Sequence, residues 1–176
     1  AENIEIDIKD FEKIKFFLKK ENIDFTIVGP EEPLVNGLVD FLNQDNIKVF
    51  GPDKFSSQLE GSKIFTKKIC DLKNIPTADF KILNSISSAI SYLETKEFPL
   101  VVKADGLAAG KGVYICENFQ SAKKAVEEIF DGKFGKANEV LIESFLDGEE
   151  MSFFILCDNN SFKMFNTAQD HKRIND

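Results

Sequence analysis

An α/β fold is predicted by three observations. Short apolar runs alternate with segments of helical period in the first part of the chain, both early runs end in Gly-Pro, and the pattern turns strand-rich after Pro76. Asp10 to Glu21 puts Phe11, Ile14, Phe17 and Leu18 on one helical face, and the run Asp24 to Val28, ending in Gly29-Pro30, reads as a strand. Leu34 to Leu42 repeats the helical spacing through Leu34, Leu38, Phe41 and Leu42, and Ile47 to Phe50 is a second strand ending in Gly51-Pro52. Strand, crossover helix and strand imply parallel pairing, with functional loops at the strands' carboxyl ends.

Phe55 to Leu72 reads as one helix carrying Lys63, punctuated by Pro76. A second domain then begins. Its elements are a strand from Phe80, a helix capped by Asn84 with Ile86, Ile90 and Leu93 inward, the strand Pro99 to Lys103, a glycine-bearing loop and the strand Val113 to Cys116. The helix Phe119 to Phe130 follows, then strands Val140 to Glu143, Met151 to Cys157 and Phe162 to Thr167, the last two joined by the polar turn Asp158-Asn159-Asn160. No internal repeat or low-complexity linker interrupts this order.

The 176 residues, 43% hydrophobic with 18 Phe, suffice for one domain or pieces of two. Lys plus Arg number 22 against 30 Asp plus Glu, and the formal charge of -8 repels nucleic acid and anionic lipid, so neither is an expected partner. Groups that hold phosphate must be local. Cys70, Cys116 and Cys157 form no CxxC and no His cluster, which supports neither a disulfide framework nor zinc and fits a reducing cytoplasm. No apolar run approaches the ~20 residues of a membrane helix. The start at Ala1 and the finish at HKRIND both read as cuts.

Chemistry concentrates in four segments. Lys103-Ala-Asp-Gly-Leu-Ala-Ala-Gly-Lys-Gly112 is a strand end followed by small residues that let backbone amides approach an anion, with Lys103 and Lys111 supplying charge at its two ends. It suits a polyphosphate but is not a Walker A loop: three residues separate Gly106 from Gly110, Gly112 stands where Ser or Thr would bind magnesium, and a strand follows. Taken alone, it reads as a flexible hairpin with solvated lysines. Val140 to Glu150 runs an apolar strand into an acidic corner that could offer backbone groups to a purine and a carboxylate to ribose; taken alone, it reads as an acidic surface turn. Glu60-Gly-Ser-Lys63 lies in a helix whose remaining lysines read as a solvated face, and Gln169-Asp-His-Lys-Arg173 holds the only His.

In order and spacing these segments resemble the ATP-grasp ligases, and in detail the phosphoribosylamine-glycine ligases, also called glycinamide ribonucleotide synthetases. From about Phe25 to Asp176, VGPEEPLVNGLVDF, FGP, QLEGSKIFTK, IPTA, VVKADGLAAGKGV, IESFLDGEEMSF and QDHKR stand in that family's order. The resemblance implies residues 1–60 as the C-terminal part of a Rossmann-like substrate-binding domain, and 61–176 as an incomplete ATP-grasp domain with its lid at about 80–147 and the start of the larger subdomain after it. It implies that Lys63 and Lys103 hold ATP phosphates and that Asp105, Gly106, Gly110, Lys111 and Gly112 belong to a mobile loop covering them. Glu143, Phe145 and Leu146 match the adenine-recognising linker and Glu150 the ribose carboxylate; Gly29, Pro30 and Glu31 match a turn beside phosphoribosylamine. Asp170, His171, Lys172 and Arg173 match a cluster facing the glycine and phosphoribosylamine pocket, Asp170 being expected to bind substrate, and these four with Lys103 and Lys111 are the expected catalytic set.

The family's glycine-rich turn is expected before Ala1, and the ligands for Mg2+ (or Mn2+) after Asp176, so no metal ligand is assigned within the chain and the piece alone is expected to be inactive. The implied reaction joins glycine to 5-phosphoribosylamine with ATP. Competing readings are another ATP-grasp ligase, against which VKADGLAAGKGV and QDHKR speak, and a non-catalytic nucleotide-binding piece or half of a split enzyme.

Overall fold

The computed structural model describes residues 1–108, 111–158 and 160–171. Gly110, Lys172, Arg173 and the middle of the Asp158-Asn159-Asn160 turn therefore lie outside the described residues. The chain forms two compact units, 1–145 and 146–176.

The first unit opens with helix α1 (Phe11–Lys20), whose N-cap Asp10 accepts a hydrogen bond from the Lys13 amide. Strands β1 (Thr26–Ile27) and β2 (Val49–Phe50) pair in parallel, as a crossover connection requires. Between them the single helix expected over Leu34 to Leu42 is two, α2 (Glu31–Asn36) and α3 (Leu38–Gln44). Gly37, at φ +93, separates them, because an αL residue ends one helical hydrogen-bond run and begins another. Leu18, Val28, Leu38, Val39 and Leu42 bury themselves between α1, α3 and the sheet.

The helix expected over Phe55 to Leu72 is likewise divided, into α4 (Gln58–Gly61) and α5 (Lys63–Lys73). Ser62 between them is extended, and its Oγ accepts from the Phe65 amide as an N-cap. The break puts Lys63 on the first turn of α5, where an uninterrupted helix would have put it mid-face.

Four strands then form one antiparallel sheet, in the order β3 (Phe80–Leu83), β6 (Val140–Ser144), β4 (Leu100–Ala104), β5 (Val113–Cys116). Helices α6 (Ile86–Leu93) and α7 (Phe119–Phe130) cover one face, burying Leu93, Leu100, Val102, Cys116, Val126, Ile129, Val140 and Ile142. The cap of α6 is Ser85, whose Oγ accepts from the Ser88 amide, and not the neighbouring Asn84. Alternation along β4 and β6 turns Val101, Lys103, Leu141 and Glu143 to the sheet's other face.

The second unit holds β7 (Glu150–Ser152), β8 (Ile155–Cys157), β9 (Phe162–Met164) and β10 (Ala168–Asp170). The strand expected over Met151 to Cys157 is thus split, since β7 pairs with β10 while β8 pairs with β9. In the β8–β9 hairpin the Asp158 carboxylate accepts from the Asn160 and Ser161 amides, which holds it below the usual carboxylate range. Among the described residues no helix is long and apolar enough to cross a membrane.

Candidate functional site

Lys103 is the last residue but one of β4, and Glu143 stands on β6 opposite Val101, so the two side chains share the sheet face away from α6 and α7. Lys103 Nζ donates to Glu143 Oε2 at 3.0 Å. The same oxygen lies 3.3 Å from Lys67 Nζ, which reaches it from α5. Lys67 also donates to Thr77 Oγ1 at 2.6 Å and to the Ala78 carbonyl at 3.2 Å, and stands over the Phe80 ring. The side chains of Glu143, Lys67 and Lys103 are 7%, 10% and 24% exposed. Two cations and one anion share this partly buried place, and the excess positive charge emerges at Lys103, the most exposed of the three.

Next to it, the loop after β4 is fastened to the amino end of α5. Asp105 accepts from the Ser62 hydroxyl, 3.0 Å to either carboxylate oxygen, and from the Ile64 amide at 3.1 Å. A carboxylate there answers amides that a first helical turn leaves without intrahelical partners. Lys63 Nζ in turn donates to the Gly106 carbonyl at 2.7 Å. Burial pushes the Lys63 ammonium below its ordinary value; the Asp105 carboxylate opposes that, and the Lys103 charge adds to it. Lys63, through the Gly106 carbonyl, and Lys103, in β4, therefore both stand at the start of the same loop.

The loop closes as a hairpin, with Lys103 in register with Val113 and the Ala104 amide donating to the Gly112 carbonyl. Gly112 is required by space: a Cβ there would sit 2.8 Å from Ala108 Cβ and 3.0 Å from Ala104 Cβ. Lys111 is exposed, with its amide bonded to the Ala108 carbonyl.

Five of the residues singled out in the sequence thus converge: Lys63, Lys103, Asp105, Gly106 and Glu143. Gly29, Pro30 and Glu31 form the turn from β1 into α2, at the carboxyl end of a parallel strand. Phe145 follows β6 at the end of the first unit. Leu146, Glu150, Asp170 and His171 belong to the second unit, where Glu150 and Asp170 face each other in the β7–β10 register. Among the described residues no group of three or more His, Cys, Asp and Glu is arranged to hold a metal.

Lys67 falls among the lysines read as a solvated face, and Ser62 stands in Glu60-Gly-Ser-Lys63 with no role of its own assigned. A signal for Lys67 existed: it is three residues from buried Ile64 and in phase with it, so the helical period places a lysine on the inward face of α5.

Residues 1–60 match the family model of the phosphoribosylglycinamide synthetase N domain, and residues 61–176 that of the phosphoribosylglycinamide synthetase ATP-grasp (A) domain. A phosphoribosylamine–glycine ligase of Mesorhizobium japonicum is 48% identical over an alignment of 177 residues that covers 100% of this chain and 42% of the relative. The Escherichia coli ligase is 44% identical, over 99% of this chain and 41% of its own length. The crystal structure of phosphoribosylamine–glycine ligase from Thermotoga maritima superposes with a TM-score of 0.70 at 28% identity, over 84% of this chain and 36% of that one. The biotin carboxylase domain of 2-oxoglutarate carboxylase from Hydrogenobacter thermophilus shares the fold, with a TM-score of 0.72 at 20% identity over 91% of this chain and 37% of that one. The chain spans about 42% of the length of the first of these curated relatives.

Proposed function

Because this chain belongs to the phosphoribosylglycinamide synthetase family, we propose that the full-length protein joins glycine to 5-phosphoribosylamine with ATP, giving glycinamide ribonucleotide, ADP and phosphate in purine synthesis. A carboxylate is a poor acyl donor because its leaving group would be oxide. Attack of a glycine carboxylate oxygen on the γ-phosphorus forms a P–O bond and releases ADP, turning that oxygen into part of a phosphate leaving group. The phosphoribosylamine nitrogen then attacks the carbonyl carbon, the C–N bond forms, and phosphate departs carrying the glycine oxygen.

In this reading Lys63 and Lys103 hold the ATP phosphates and offset the charge of the transferring phosphoryl group. The loop Asp105 to Gly112, with Lys111, covers them and excludes water from the acyl phosphate. Glu143, Phe145 and Leu146 receive adenine, and Glu150 receives the ribose hydroxyls. Gly29, Pro30 and Glu31 lie beside phosphoribosylamine, while Asp170, His171, Lys172 and Arg173 face the glycine pocket. The observation that best supports the reading is the convergence of Lys63 and Lys103 at the root of a glycine-bearing hairpin. Magnesium accompanies ATP in the family, but the described residues offer no cluster fitted to it, so no step is assigned to a metal here.

The test uses glycine labelled with 18O in its carboxylate. Full-length enzyme should transfer one labelled oxygen to inorganic phosphate for each ADP released, and only when phosphoribosylamine is present. Unlabelled phosphate would eliminate the glycyl phosphate route.

A further inference from the structure

Lys67 is a buried cation that the proposed chemistry leaves without a task. Its ammonium has three oxygen neighbours, Glu143 Oε2, Thr77 Oγ1 and the Ala78 carbonyl, and only the first is charged. That oxygen is the one to which Lys103 donates. Without Lys67, Lys103 and Glu143 would be a one-to-one pair, and the charge that Lys103 offers to an anion would be largely cancelled. With Lys67, the carboxylate is shared and the trio carries a net positive charge. Exposure rises from 10% at Lys67 to 24% at Lys103, so this charge is directed outward at the loop's root. In a partly buried site such pairing is screened far less than at a free surface.

We infer that Lys67 is a positioning residue for the nucleotide site: by holding Glu143 from behind, it keeps the carboxylate from neutralising Lys103 and so sets affinity for polyphosphate. The inference rests on the proposed ATP site. It goes beyond that site because the proposed site gives Lys67 no contact with the nucleotide.

Binding of ATP, and of adenosine as a probe without phosphate, is measured on the full-length protein as wild type, Lys67→Met, Glu143→Gln, Lys67→Arg and Lys67→Met/Glu143→Gln. Lys67→Met should weaken ATP binding by roughly tenfold or more while leaving adenosine within about twofold, as expected for losing one charge-assisted interaction. Measured as the ratio of ATP to adenosine affinity, the double variant should recover most of that loss, because Lys103 is again uncancelled. Lys67→Arg should stay near wild type. Because Glu143 also faces adenine in the proposed site, Glu143→Gln is read as the ratio of ATP to adenosine affinity, which should hold or rise, and this ratio decides the matter if Lys67→Met does not fold. Equal weakening of ATP and adenosine in Lys67→Met, a double variant no better than the single one, or a Glu143→Gln protein that loses ATP but keeps adenosine would each overturn the inference. A wild-type protein that binds no ATP would instead overturn the ligase reading, and the inference with it.

Discussion

Three lysines within a few residues' reach do three different things. Lys63 donates to the Gly106 carbonyl, Lys103 to a carboxylate, and Lys67 is shared among three oxygens. On the proposed reading, Lys63→Met and Lys103→Met in the full-length enzyme should each lower kcat/KM for ATP by ~1.5–3 kcal/mol equivalent, read from steady-state kinetics; unchanged values in both would mean solvated bystanders. A pH profile separates them further. Burial lowers the Lys63 pKa from its ordinary 10.5, so its charge is lost earlier as pH rises, and the alkaline decline of ATP affinity should begin below that value. Lys63→Met should remove this part of the decline, and an identical profile in wild type and variant would refute it. At Glu150, removing charge and one acceptor by Glu150→Gln should raise KM for ATP by roughly 1–3 kcal/mol equivalent, while Glu149→Gln, just outside β7, should be tolerated. Discrimination between ATP and dATP should shrink in Glu150→Gln alone; equal discrimination in both proteins would misplace the ribose contact.

Caps and close approaches govern the elements. Helix α7 begins with a capping box, the Asn118 carbonyl oxygen of the side chain accepting from the Ser121 amide while Ser121 Oγ accepts from the Asn118 amide. Asn118→Ala should cost about 1 kcal/mol in urea unfolding and leave ATP affinity alone, since it breaks only a helix start on the side of the sheet away from the lysines. Gly112→Ala should behave differently. Its Cβ has nowhere to go without moving Ala104 or Ala108, both short and rigid, so stability should fall by ~1–3 kcal/mol and ATP binding should weaken with it. Full ATP affinity in Gly112→Ala would show that the hairpin adjusts without consequence.

At the scale of the whole molecule, the chain covers 42% of a relative's length. Residues 1–176 expressed alone should release no ADP in response to glycine, whereas a polypeptide of the relatives' full length should; glycine-dependent ADP release by the shorter protein would contradict this. The βαβ order, the parallel β1–β2 pairing and helix α7 at Phe119–Phe130 were legible in the sequence, because side-chain periodicity and Gly-Pro punctuation are local signals. So were the strands on either side of residues 105–112. The breaks at Gly37 and Ser62 were not, because an apolar helical period continues through a single αL or extended residue without recording it. By itself, then, the sequence determined the coarse order of helices and strands and the family resemblance. Only the tertiary structure decided that Lys67 is buried rather than solvated, that Asp105 accepts from the Ser62 hydroxyl and the Ile64 amide at the start of α5, and that Lys103 shares Glu143 with a second lysine. Those partners lie up to 43 residues apart, and strand register and sheet face bring them together, which no local spacing encodes.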